Sequence, residues 1–235
     1  MANTCINNIT FYSNDKEKIE RLFKDFHTAY EIRDEKGYRV SCAYDLIKNM
    51  GYDYEGKLEF RKRNYLTNIS GEIDIVELDE GNLYHFEVCT ESAWTPNMQM
   101  FKELIKEEPY KGIEMVYLSE EETDDIYVNT DVKGLFYDQR YCVRIYYQDV
   151  DDYLFYDDVA SVLKQAIADF PNAGIREDDT IKNIRRKIEP FLTDDENYTI
   201  IEYEKEWYEP SLDEFIEFKK EIKQNADEYL AKQSA

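Results

Sequence analysis

Residues 4–12, Thr-Cys-Ile-Asn-Asn-Ile-Thr-Phe-Tyr, are rich in β-forming side chains and predict a strand. Asn14 with Glu17 three places on has the form of a capping box, and Ile19, Leu22, Phe23 and Phe26 follow at helical spacing. The period is then lost. From Tyr30 to Tyr65, Gly37, Gly51 and Gly56 stand among charges, which reads as an insertion over about residues 30–66 with a short helix near Ser41–Met50. Strands are predicted again over Ile69–Leu78 and Leu83–Thr90, joined by Asp79-Glu80-Gly81-Asn82 as a hairpin turn. Tyr84, Phe86 and Val88 alternate with polar residues, so one face of the second strand is buried.

Thr95-Pro96 predicts an N-cap and a first-turn proline, followed by the apolar stripe Met98, Phe101, Leu104 and Ile105 and a stop before Pro109. A strand over Ile113–Leu118 completes the order β-α-β-β-α-β, an α+β fold of the ferredoxin-like sandwich type. Ile126–Thr130 and Tyr141–Tyr147 are further strand candidates. The pattern then turns helical. Val159, Val162, Leu163, Ala166, Ile167 and Phe170 form one stripe, and a second helix is predicted over Asp179–Glu189. A short strand, Tyr198–Tyr203, precedes a last helix opened by Ser211 and Glu214 and carrying Leu212, Phe215, Phe218, Ile222 and Leu230. The expected organisation is a ferredoxin-like α+β domain over 1–148 and a mostly helical region over 149–235 packed on it.

Charge changes this picture more than composition does. The chain carries 52 Asp and Glu against 29 Lys and Arg, a formal charge of -23, together with 21 Tyr and 12 Phe. Acidic disordered tails lack aromatics, so the combination describes a folded domain with a negative surface. The acid is concentrated: 119–158 holds 12 acidic and 3 basic residues, and 194–217 holds 10 and 1. Such a field repels anionic lipid and nucleic acid, which are bound by clustered Lys and Arg. Two small basic groups, Lys57 with Arg61, Lys62 and Arg63, and Lys182 with Arg185, Arg186 and Lys187, read as intramolecular counter-charge. No leader-like opening and no run of ~18 apolar residues is present, which predicts a cytoplasmic protein without a membrane segment. Cys5, Cys42, Cys89 and Cys142 are scattered and read as reduced, mostly buried thiols.

Candidate chemistry is sparse. Asp74 in Gly71-Glu72-Ile73-Asp74-Ile75-Val76 and Glu87 on the next strand resemble the metal-binding hairpin of PD-(D/E)xK nucleases. The lysine of that motif is replaced by Cys89, and a neutral thiol does not stabilise hydroxide, so this enzyme reading is the alternative. His85 and Cys89 project to one strand face, while His27 lies near the first helical stripe. No Gly-x-Ser-x-Gly elbow, phosphate-cradling glycine loop or EF-hand spacing occurs, and no catalytic residue, resident metal or cofactor is expected.

Two local strings resemble the YubB-like family of plasmids and phages. Thr4-Cys5-Ile6-Asn7 is similar to its Trp-Cys-x-Asn opening, and Phe86 to Pro96 to its Phe-x-Thr-x-Trp-x-Pro-Pro segment. Thr4 replaces the family's Trp, and Asn97 replaces its second Pro. The resemblance implies a ferredoxin-like domain and a mobile-element setting, with no activity attached. Trp94, within the second string, is expected to plug the space beneath the second helix.

The remaining candidate is an acidic and aromatic surface. Tyr146, Asp149, Asp151, Asp152, Tyr153, Tyr156, Asp157 and Asp158 form one group, and Glu204, Glu206 and Trp207 belong to a second. Carboxylates on a rigid fold imitate a nucleic-acid backbone, and tyrosines add contact area that salt does not screen. The expected partner is a basic protein surface, in the sharper form that of a host defence or other nucleic-acid-handling protein, with no direct nucleic-acid binding.

Overall fold

The computed structural model describes residues 3–33, 35–39, 42–54, 63–123, 125–147, 150–193 and 195–209, with the side chains of 147, 150 and 151 excepted. These residues divide into two compact units, one of residues up to 115 with 208 and 209, the other of 116–207. The mixed α+β class holds. The predicted helix from Ser211 lies outside the described residues.

In the first unit, β1 (Thr4–Ser13) leads into α1 (Lys16–Tyr30). Asp15, rather than Asn14, caps the helix, its carboxylate accepting from the Lys18 N–H at 3.3 Å. The buried positions Ile19, Leu22, Phe26 and Ala29 form the predicted stripe. Helix α2 (Ala43–Asn49) is the helix expected inside the insertion. The predicted strand Ile69–Leu78 is two strands, β2 (Asn64–Ile69) and β3 (Asp74–Leu78), so β2 reclaims residues assigned to the insertion. Both pair antiparallel with β4 (Gly81–Ala93), which also pairs with β1. The β3–β4 turn is tighter than expected, because Leu78 pairs with Gly81 and only Asp79 and Glu80 remain outside the ladder. Gly81, at φ 128°, closes that turn where an L side chain would be strained.

Alternation along β1 and β4 puts Phe11 beside Phe86 and Ile9 beside Val88 on one face. There Phe11, Phe26, Phe86 and Phe101, all fully buried, join strands and helices in one aromatic core. Helix α3 (Gln99–Leu104) contributes Phe101 and begins later than Thr95-Pro96 predicts. Thr95 is held in the strand exit by the Ser92 hydroxyl, and the N–H of the N-cap residue Met98 is served by Glu209, which accepts from it at 2.8 Å. Trp94 is not a plug. It sits in the left-handed region at φ 75°, which turns the ring outward and leaves it half exposed, and Met98, Phe101 and Leu104 seat the helix instead.

Strand β5 (Glu114–Glu121), whose residues from Val116 onward belong to the second unit, pairs with β6 (Ile126–Asn129). A three-stranded antiparallel sheet follows in the order β8-β7-β9, from β7 (Tyr141–Tyr147), β8 (Val150–Tyr156) and β9 (Asn197–Glu202). The expected boundary near 148 lies between two strands paired with each other, and the described residues from 150 to 209 contribute two strands as well as helices. Helices α4 (Val159–Asp169) and α5 (Ile181–Ile188) cover one sheet face through Val162, Leu163, Ala166, Ile184 and Ile188, packed with Val143, Ile145, Tyr198 and Ile200.

Buried phenols in this unit set its response to base. Tyr203 donates to Glu120, Tyr198 donates to Asp169 at 3.1 Å, and burial pushes both phenols well above the ordinary 10.0. The folded state therefore keeps protons that the unfolded chain releases, so this stabilisation is complete below pH 10.0 and is lost as pH rises beyond it. Urea midpoints measured against pH should fall from about pH 10 upward, with phenolate absorbance growing in the same transition.

Candidate functional site

Strand alternation decides which expected site residues share a surface. In β8, Asp152 and Tyr156 lie on the face covered by α4 and α5, across from Ile145 and Tyr141 in β7. Tyr153 lies on the opposite face with Tyr146, which is half exposed. Asp149 lies outside the described residues, and of Asp151 only the backbone is described. The expected single cluster is therefore divided by the sheet, because consecutive strand residues point to opposite sides.

What the fold gathers instead is an acidic end of the sheet. Tyr156, Tyr141 and Glu202 are abreast across β8, β7 and β9, and Asp157 and Asp158 follow directly on β8. Glu202 and Asp158 lie close enough to Tyr141 to raise its phenol, after the larger effect of burial. Asp157, Asp158 and Glu202 are exposed, as are Glu204 and Glu206 beyond β9, whereas Trp207 is half-buried. Asp158 has a structural duty: its carboxylate caps α4, accepting from Ser161 N at 2.7 Å, and that bond holds its pKa below the usual carboxylate range. The carboxylates of Asp157, Glu202, Glu204 and Glu206 have no hydrogen-bond or ion-pair partner among the described residues.

Neighbouring cations do not neutralise this end. Arg140 spends its guanidinium on the carbonyls of Asp131, Tyr137 and Gln139, at 2.6–3.0 Å. Arg144 lies over the Tyr153 ring and is 3.9 Å from Asp125. Other acids of the same sequence windows are internal: Glu120 accepts from Tyr203, Glu121 is 2 % exposed, and Glu209 is held by Met98 N and Lys102. Sequence alone does not separate these tied carboxylates from the free ones, since both occur in the same acidic strings.

The nuclease-like pair has a different outcome. Asp74 faces His85 across the β3–β4 ladder, and Glu87 is the next residue on that face, a diagonal neighbour at about 7–8 Å. Among the described residues no group of three or more His, Cys, Asp and Glu side chains is gathered to hold a metal ion. His85 and Cys89 do share a face, but four residues of extended strand separate them by about 13 Å, beyond hydrogen-bond reach. Burial raises the Cys89 thiol and so keeps it protonated, and His27 accepts from or donates to nothing catalytic, its Nε2 lying 3.0 Å from the Ser70 carbonyl. All four cysteines are free thiols, and three are buried.

The basic groups also separate. Lys57, Arg61 and Lys62 lie outside the described residues. Of the second group only Lys187 has the expected counter-charge, Asp179 at 2.5 Å; Lys182, Arg185 and Arg186 have no ion pair among the described residues. No helix among the described residues is long and apolar enough to cross a membrane. No family model matches this chain, and no curated protein matches it.

Proposed function

We propose that this protein is a non-enzymatic binding module that takes up a basic protein surface through the carboxylates of its second unit. The observation that carries this reading is the set Asp157, Glu202, Glu204 and Glu206, exposed, their carboxylates without a partner among the described residues, at and just beyond one end of the β8-β7-β9 sheet. Unpaired surface carboxylates repel one another and contribute nothing to packing, so their field is available to a cationic partner. Glu202 and Asp158 already act on the Tyr141 phenol, which supports a combined field.

The first unit is read as a ferredoxin-like sandwich. In its support, β4 lies between β1 and β2 in an antiparallel sheet, α1 follows β1, α3 follows β4, and both helices meet the face that carries Phe11 and Phe86. The mobile-element setting, cytoplasmic location and action as a nucleic-acid mimic against a host defence protein extend the same reading, drawing on the resemblance of residues 4–9 and 86–96.

An arginine-rich peptide labelled with a fluorophore provides the test. Its affinity should fall roughly tenfold or more between about 50 and 200 mM salt, as expected for contacts made by exposed charge. Affinity that does not respond to salt would remove the electrostatic basis of this function.

A further inference from the structure

Helix α5 buries Ile184 and Ile188, and its exposed side carries Lys182, Arg185 and Arg186. Positions three and four apart lie on one helical face, so the ammonium and the two guanidinium groups are neighbours. They line a cleft of about 540 Å³ with Asn183 and with Asn197 and Thr199 of β9. That volume falls within the roughly 300–1,000 Å³ of small-molecule sites.

Two carboxylates stand four residues from these cations in sequence, Asp178 before Lys182 and just outside the helix, and Glu189 after Arg185 at its C-terminal cap. Neither pair forms, and the three cations have no ion pair among the described residues, in a chain where carboxylates outnumber cations by 52 to 29. The neighbouring Lys187 contrasts with them, being engaged by Asp179 and by the Gly174 carbonyl at 2.8 Å. Neutral donors complete the lining. The Thr199 hydroxyl donates to Asn197 Oδ1 at 2.7 Å, which orients that amide and leaves Nδ2 as its remaining donor group.

We propose that this cleft binds a small phosphate-bearing anion, an oligophosphate either free or carried by a nucleotide. Two guanidinium groups supply the planar forks that match phosphate oxygens, and Lys182 adds a point charge. Glu189 lines one end of the cleft and repels an anion there, which limits the length of ligand accommodated. Exposed Glu177, Asp178 and Asp195 stand nearby in sequence. A compact anion inside the cleft is shielded from more distant carboxylates over the ~8 Å screening length, whereas a nucleic-acid strand leaving it would meet them. The chemistry therefore favours a small ligand over a strand. This inference is independent of the carboxylate-mediated function, since it uses different residues.

Calorimetric titration of the full chain with inorganic tripolyphosphate tests it. One equivalent should bind, and the double variant Arg185→Gln/Arg186→Gln should bind at least about tenfold more weakly, the loss expected on removing charge-assisted hydrogen bonds. Both residues are exposed, so an unchanged melting temperature accompanies the loss; Lys106→Gln, at an exposed cation of the first unit, should leave the affinity as it is. Adenosine triphosphate binding no tighter than tripolyphosphate assigns the cleft to free oligophosphate, and tighter binding assigns it to a nucleotide, provided the double variant weakens both. Absence of tripolyphosphate binding, an affinity unmoved by the double variant, or stronger binding of a single-stranded oligonucleotide through these arginines would overturn the proposal.

Discussion

Phe11→Ala lowers the stability of the first unit by about 3–5 kcal/mol, measured as a shift of its urea midpoint at unchanged slope. Phe11 is fully buried, with the rings of Phe26, Phe86 and Phe101 at 5.4–5.8 Å between centroids. It stands where β1, β4, α1 and α3 converge, so no single neighbour can collapse into the space left behind. Such a loss is a large part of the roughly 5–15 kcal/mol that holds an ordinary domain folded. Phe155→Ala provides the contrast: that ring is 44 % exposed, and its removal should cost less than about 1 kcal/mol.

Asp131→Ala is expected to cost about 3 kcal/mol in the second unit, from hydrogen bonding rather than apolar burial. Its carboxylate is 2 % exposed and accepts from Phe136 N at 2.6 Å and Tyr137 N at 3.0 Å. Alanine leaves both N–H groups without that acceptor. The same loop is fixed by the Asn129 amide, which donates to the Tyr137 and Gln139 carbonyls, and by Arg140, which donates to the Asp131 carbonyl. Asp131→Asn keeps an acceptor oxygen in place, and its denaturation midpoint should lie between those of the wild type and the alanine variant. Equal midpoints for the alanine variant and the wild type would mean that the loop holds its shape without the carboxylate.

Elements whose own residues repeat the period of their structure were legible in the sequence. The stripe Ile19, Leu22 and Phe26 and the alternation of Phe86 and Val88 each describe one buried face, and both elements form as expected. Strand β2 was obscured because buried Asn64 is polar and the register shifts between Leu66 and Asn68, so the alternation of hydrophobic positions is broken. Strand β8 was obscured by its aspartates, which are compatible with a strand only because parts of both sheet faces meet solvent. Buried Asn7 is a further case: its amide on the core side of β1 is satisfied by Thr90 and Ser92, partners 83 and 85 residues away.

The candidate site was legible as composition and not as geometry. Acidic strings marked the region in which the proposed surface lies, but alternation in β8 separates Asp152 from Tyr153, and helix capping claims Asp158. The α5 cations gave a sequence signal, since Lys182, Arg185 and Arg186 fall on one helical face. That Asp178 and Glu189 do not pair with them is a property of three-dimensional placement alone.

Two charge-matched variants of the full chain, titrated with the same arginine-rich peptide at low salt, put the proposed function to its most direct test. One carries Asp157→Asn, Glu202→Gln, Glu204→Gln and Glu206→Gln; the other carries Glu17→Gln, Glu20→Gln, Glu77→Gln and Glu80→Gln, all exposed in the first unit. Both lose the same formal charge, so a general attraction to a polyanion weakens equally in each. A binding surface at the end of the β7–β8–β9 sheet predicts that the first variant loses about tenfold more affinity than the second. Equal losses would contradict it, and would reduce the acidic surface to net charge.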